Sequence, residues 1–419
     1  MAIRLRMFVI FDWHAYLMYF RQTVLTLFAL MCPLRLIAQQ PAALPDPYLE
    51  LMKKAAQHAS ASEAPAPVLS PIDFSVIHMG ETKEDTTLVP ITQLHAMGIR
   101  VVPWTTNAPD SMRKIIESGA DGLITDRPDI LQTVLAEQRG KASSADREQL
   151  KHFDVSAHRG GRRLRPENTL PSFESGLDQL STTLETDTGV STDHVSTIWH
   201  DQFYNPDSCR RADGKPYTME NRVYLSDISL KDAQTTFICD RLRFAEDQKN
   251  DLSLSPVSVA FAHEEHLINP YVPTYVDQLF RFVAFYVEYY RKGPGKNLSK
   301  AAEMSANAER VRFNIETKIM PPISKETFSF PSVFRGEKLP PELFLPNHTV
   351  SPEVFVNTLA GTVMKYHMES RVEIQSFDFR TLQLVESKFP KIQTYYLTMD
   401  SKLFYTEFVP LSLRLAATE

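Results

Sequence analysis

Cysteine is scarce in this chain of 419 residues: there are three, Cys32, Cys209 and Cys239. Three are too few for a disulfide framework and match no zinc-ligand spacing, so at most one bridge, Cys209 to Cys239, is available in an oxidising compartment. Glycine is thin as well, 14 residues against 28 prolines, which excludes collagen-like repeats and suggests long irregular crossovers. No GxGxxG or GxxxxGK[ST] stands where a strand meets a helix, which removes the usual nucleotide cradles. Positive charge is not in excess: 45 Lys and Arg against 51 Asp and Glu give a formal net charge of -6. With no basic stripe interleaved with aromatics, a nucleic-acid partner is not expected. What is present is ordinary globular material, 43% hydrophobic and 23% charged. The length suits two or three domains, or one barrel of ~250 residues enlarged by insertions.

The N-terminal end reads as a leader. Residues 22–34 carry no charge, follow Arg21, and lead through Leu36 and Ile37 to a small residue, Ala38, before Gln39 and Gln40. That is the order of a signal peptide, and the pattern is cleaner when counted from Met18. The run is short for a membrane span, so export is the expectation and an uncleaved membrane anchor the alternative. Residues 39–72, rich in Ala, Pro and Ser, read mostly as linker with a short helix around Tyr48 to His58.

A strand and helix alternation follows. Apolar runs at 99–104 and 121–126 are each followed by a helical pattern, SMRKIIESG and DILQTVLAEQ. After a connection at 138–152, further strands are expected at 153–158, 182–190, 194–200, 310–319, 370–379 and 390–399. A long mixed stretch at 202–308 reads as an insertion; its aromatic segment FRFVAFYVEYY suits a helix packed on the body of the protein or the wall of a lipid groove. Eight mostly parallel strands with intervening helices predict a TIM-type (β/α)8 barrel, with an open doubly wound sheet as the alternative.

Several chemically capable residues fall at strand ends. Glu185 and Asp187 are two apart, so both carboxylates face one side of their strand; Glu316 and Lys318 repeat the spacing. Such a pair alone also makes an ordinary ion pair. Converging in one pocket, three carboxylates repel unless protonated or neutralised by a hard divalent cation such as Mg²⁺ or Ca²⁺. His158 and His200 each close a strand and suit acid and base work near neutral pH. Arg159, beside Gly160 and Gly161, offers a bidentate grip on phosphate. HEEH at 263–266 lacks the HExxH helix spacing and reads as a solvated cluster.

The motifs then become specific. SAHRGGRRLRPENTLPSFESGL, followed by LETDTGVSTDHVSTIWHD, resembles the opening signature of the glycerophosphodiester phosphodiesterase family; NIETK and EIQSFD resemble its later strands, and VVPWTTNAPDSMRKIIESGADGLITDRP its closing signature. Here the closing signature, at 99–128, precedes the opening histidine at 158. The resemblance therefore implies a circular permutation, with exchange of strands between chains as the alternative. Residues 73–137 would carry the family's last two strands, and 153–419 the first six, including the insertion 202–308.

Carried over residue by residue, the resemblance makes His158 and His200 the acid/base pair. Glu185, Asp187 and Glu316 become ligands of one divalent ion, Ca²⁺ or Mg²⁺. Arg159 and Lys318 would contact phosphate, with Trp104 as an apolar wall. Glu167 would support Arg159 and Asp201 would orient His200; Asn168, Asp126 and Gln375 read as structural. The implied reaction is hydrolysis of a small glycerophosphodiester to glycerol 3-phosphate and an alcohol through a cyclic phosphate. A phospholipase D-like enzyme on lysophospholipids or sphingolipids and a non-catalytic secreted binding protein are the alternatives. No obligate protein partner is inferred.

Overall fold

A computed structural model describes residues 45–77, 88–322 and 346–416. The leader and Cys32 lie outside the described residues, and among these no helix is long and apolar enough to cross a membrane.

Helix α1 (Pro47–Ala61) starts where Asp46 accepts from the amides of Tyr48 and Leu49 and Pro47 occupies the first turn. It leads to β1 (Val68–Pro71). After α2 (Pro109–Glu117) come β2 (Gly122–Thr125), α3 (Pro128–Lys141), α4 (Ser144–Lys151), β3 (Asp154–Ala157), α5 (Leu170–Asp178) and β4 (Thr183–Val190). A short strand, β5 (Ser196–Ile198), and helices α6 (Pro256–Glu264) and α7 (Val276–Arg291) precede β6 (Arg312–Thr317). The chain ends with α8 (Pro352–Lys365), β7 (Val372–Ser376), α9 (Phe379–Lys388) and β8 (Gln393–Thr398).

Parallel pairing runs β1-β8-β7-β6-β4-β3-β2. The extended segment 101–104 fills the gap between β1 and β2. Val102 N donates to Leu69 O and Trp104 N to Pro71 O on one side; Asp121 N donates to Val101 O and Ile124 N to Pro103 O on the other. Eight strands thus form a curled parallel sheet in permuted order. Strand residues alternate between two environments. Leu184, Phe313, Ile315, Val372 and Ile374 join the main apolar core with helix residues such as Leu131, Phe173 and Leu382. Glu185, Asp187, Asn314, Glu316, Glu373 and Gln375 have the opposite parity and are buried as well.

The new chain break lies between β8 and α1. Helix α1 packs against α9, where His58 Nδ1 lies 2.7 Å from Glu386 Oε2, and Lys54 Nζ donates to Arg414 O at 2.9 Å. The two ends of the described chain therefore meet.

Several boundaries differ from those read in the sequence. The span 39–72 is not mostly linker, because it holds α1 and β1, so three strands rather than two stand at the front. β1 is four residues between prolines, too short for an alternation to register. The segment at 194–200 is no barrel strand: β5 pairs antiparallel with the end of β4 and with Thr274–Tyr275. The 138–152 connection is helical over α4. Much of the 202–308 insertion belongs to the helical layer, because α7 buries Leu279, Phe280, Phe282, Val283 and Tyr286, with Phe280 on Phe313 of β6, Phe282 on Phe261 of α6 and Tyr286 donating to Asp178 of α5, rather than lining a groove. The Cys209–Cys239 disulfide staples the remainder.

Candidate active site

Strand ends build the site. β3 runs into a turn in which Arg159 has φ 50° and Gly160 φ 81°. A side chain at 160 would put its Cβ 2.6 Å from the carbonyl carbon of Ser172, so glycine permits α5 to approach the turn. That turn puts His158, Arg159 and Arg162 on a cleft of about 490 Å³, counted to its open mouth, shared with Glu185, His200, Glu316 and Lys318. Trp104, Phe377 and Leu397 supply apolar wall. The Trp104 and Phe377 rings meet edge-on at 5.4 Å, and Trp104 Nε1 donates to Ser70 O at 3.0 Å.

Glu185, Asp187 and Glu316 are all buried, and ligand oxygens from the three lie within 4.8 Å of one another. Gln375 Nε2 donates to Glu185 Oε1 at 2.7 Å, and the Arg159 amide donates to Glu185 Oε2 at 2.8 Å. Asn168 Nδ2 donates to Asp187 Oδ2 at 2.8 Å, while Lys318 Nζ donates to Glu316 Oε1 at 2.8 Å. Asp187 Oδ1 is buried without a hydrogen-bond partner, 3.7 Å from Lys318 Nζ. Burial, reinforced by Asp187, holds the Glu185 carboxyl well above its ordinary range; burial likewise lifts Glu316 to about 7, opposed by Lys318. Burial would also raise Asp187, but Arg159, His200 and Lys318 outweigh it and keep that carboxyl ionised. An all-oxygen donor set with excess negative charge and an orphaned buried oxygen fits a hard divalent cation.

The two histidines have matching anchors. His158 Nδ1 lies 2.5 Å from Asp126 Oδ1, and His200 Nδ1 lies 2.7 Å from Asp201 Oδ1. Asn205 Nδ2 in turn holds Asp201 Oδ2 at 2.8 Å. Each ring therefore keeps Nε2 for other contacts; that of His158 stands 3.9 Å from Glu185 Oε2. Burial and the nearby Arg162 push His158 down to about 3, despite Asp126. Burial, Arg159 and Lys318 push His200 down as well.

Every sequence-expected site residue gathers around this cleft, with some parts differing in detail. Arg159 is committed within the protein, its NH1 2.6 Å from Glu167 Oε2 and its Nε 3.1 Å from Asp187 Oδ2. Thr169 caps α5, while Asn168, read as structural, links Thr186 to Asp187. Asp126 and Gln375, read as structural, hold site residues directly, Asp126 on His158 and Gln375 on Glu185. Asn107 and Arg162 were not legible as site residues. Asn107 Nδ2 donates to Asp126 Oδ2 at 2.8 Å, and Arg162 Nε donates to Asp126 Oδ1 at 2.7 Å. Arg162 follows the histidine by four positions among other arginines, with nothing in that run to single it out.

The model of the glycerophosphoryl diester phosphodiesterase family matches residues 13–130 and 158–407, more than half of the chain. The chain belongs to that family. Among solved structures it is similar to a putative glycerophosphoryl diester phosphodiesterase from Silicibacter pomeroyi, with 18% identity over 57% of this chain and 62% of that one and a TM-score of 0.37. It is also similar to an Oleispira antarctica phosphodiesterase in complex with the product sn-glycerol-3-phosphate, with 14% identity, 57% and 64% coverage and a TM-score of 0.31. The chain thus spans less than two thirds of the length of each. No curated protein is significantly similar to it.

Proposed function

We propose that the protein hydrolyses small glycerophosphodiesters to glycerol 3-phosphate and an alcohol, using one divalent ion and the imidazoles of His158 and His200. The observation that carries this reading is the shared cleft, where two aspartate-anchored histidines meet a buried cluster of three carboxylates. Family membership supports the same reaction class.

Glu185, Asp187 and Glu316 would hold the ion, which when bound stabilises negative charge on the phosphoryl oxygens. Lys318, already 2.8 Å from Glu316 and open to the cleft, adds a positive charge for a phosphate oxygen. Arg159 lends its charge while held by Glu167 and Asp187. Trp104 and Phe377 form a wall that excludes water beside the alcohol. One imidazole takes the proton of the glycerol 2-hydroxyl as its oxygen bonds to phosphorus; the other gives a proton to the departing alcohol oxygen. The cyclic phosphate is then opened by water, with the two proton roles reversed. Asp126 and Asp201 fix each ring through Nδ1, so that Nε2 does the exchange.

Export is part of the proposal, supported by the leader pattern and by the Cys209–Cys239 disulfide, which suits an oxidising compartment. Titrating Mg²⁺ or Ca²⁺ into the metal-stripped protein during glycerophosphocholine turnover tests the reading. Activity restored by metal and abolished in both His158→Ala and His200→Ala supports it. Turnover of a lysophospholipid but no glycerophosphodiester would transfer the site to lipid substrates, and metal-tight binding without turnover of any diester would make it a binding protein.

A further inference from the structure

The cations in the cleft are not equally occupied. Arg159 is only 7% exposed and spent on Glu167 and Asp187; Lys318 is spent on Glu316 and Asp187. Arg162 differs. Its Nε donates to Asp126 Oδ1, but among the described residues its NH1 and NH2 have no hydrogen-bond partner, and its side chain is 22% exposed on the cleft. A guanidinium anchored by Nε and open at its two terminal nitrogens is a ready fork for a carboxylate or phosphate.

The fork is held in place from the inserted region. The Phe244 ring lies under the Arg162 guanidinium at 4.7 Å, and Arg243 covers the same ring at 5.2 Å. Gln248, buried, donates to the backbone carbonyls of Arg162 at 2.5 Å and Arg165 at 3.1 Å, and accepts from the Arg243 amide at 2.7 Å. Two guanidinium groups thus share one aromatic ring on this side of the cleft. Asp126, the carboxylate that Arg162 touches, is already shared with His158 and Asn107.

We propose that Arg162, steadied by Phe244, reads a second negative charge on the alcohol portion of the diester, so that the protein favours glycerophosphodiesters whose alcohol itself carries a phosphate or carboxylate. The inference rests on the glycerophosphodiester reading. The scissile phosphate belongs with the carboxylate cluster and Lys318, and the glycerol half is neutral. A further cation beside His158 therefore has only the alcohol portion to recognise.

The test compares glycerophosphoglycerol, whose alcohol is neutral, with bis(glycerophospho)glycerol, whose alcohol bears a second phosphodiester, in the full chain, Arg162→Gln and Phe244→Leu. Gln keeps a donor for Asp126 and removes the charge. The native protein is expected to favour the doubly charged compound in kcat/KM by about tenfold, the scale of one hydrogen bond between charged groups. Arg162→Gln should bring the ratio of the two kcat/KM values close to one, and Phe244→Leu should reduce it partway. A ratio unchanged in Arg162→Gln overturns the inference, as does a native ratio of one. Calorimetric binding of the same two compounds separates this from the reaction itself. A binding preference that Arg162→Gln abolishes, without turnover of either compound, leaves the anion fork standing and removes the hydrolase reading; equal binding removes the fork.

Discussion

Asp126 Oδ1 lies 2.5 Å from His158 Nδ1, joining the end of β2 to the end of β3 across 32 positions of sequence. In the permuted order these adjacent strands straddle the join at α3 and α4, so the contact ties the relocated front of the chain to the strand bearing the catalytic candidate. Arg162, on the same oxygen, helps keep the Asp126 carboxyl far below its ordinary range, against the opposing effect of burial.

Asp126→Ala should therefore damage turnover while leaving the fold intact. Loss of the anchor frees the His158 ring, and kcat should fall by roughly 10²- to 10⁴-fold, the worth of an oriented general base. KM should change much less. Steady-state kinetics alongside near-UV circular dichroism checks it; equal losses in kcat and in folded protein would mean that the residue is structural.

Metal affinity should depend on Asp187 more than on any neighbouring carboxylate outside the trio, since its Oδ1 is the orphaned oxygen of the cluster. Adding Ca²⁺ or Mg²⁺ should raise the melting temperature of the native chain, because ligand bound only to the folded state stabilises it. Asp187→Asn should abolish that rise. Differential scanning calorimetry with and without the ion reads the effect directly.

Stability should fall as pH rises through the range from about 4.5 to 7. Glu174, fully buried on α5, accepts from the Val257 and Ser258 amides and the Ser258 hydroxyl at the start of α6, yet burial lifts its carboxyl to about 7. A carboxyl raised on folding holds its proton longer in the folded state, so unfolding releases protons in this window and the folded form weakens as they leave. The contribution is about 3 kcal/mol at most. Urea unfolding at pH 5 and pH 7.5 should show the loss, and Glu174→Gln should lessen it, leaving the part that Glu316 and Glu373 carry.

Reducing the Cys209–Cys239 bridge, which closes 30 residues, should destabilise the inserted region by about 3 to 4 kcal/mol. The barrel core should survive, because Trp199, Tyr204 and Phe237 pack with the two cysteines in a cluster separate from the main core. Hydrogen exchange under reducing conditions should accelerate around the insertion first; uniform acceleration across β3, β4 and β6 would contradict this.

The legible part of the fold was the part with long runs and paired spacings. Glu185 with Asp187, and Glu316 with Lys318, announce their common face by a separation of two, and the histidine-closed strands announce their ends. β1 was hidden because VLSP carries a proline and no alternation, while 194–200 looked like a strand and is one, though turned back antiparallel on β4. Strand identity was readable there and strand partner was not, since pairing depends on where the chain returns. Asn107, Arg162 and the true part played by Asn168 come from contacts between distant segments, for which periodicity carries no signal.

In the permuted barrel two histidines and three carboxylates share one cleft, and phosphodiester cleavage there is the proposed reaction. Phosphorus NMR of glycerophosphocholine incubated with the full chain, with Mg²⁺ or Ca²⁺ and then with chelator, tests it most directly. The account predicts metal-dependent appearance of glycerol 3-phosphate, absent in His158→Ala, His200→Ala and Glu316→Gln. Glycerol 3-phosphate formed equally well by the folded His158→Ala variant, or by the chelated protein, would contradict it.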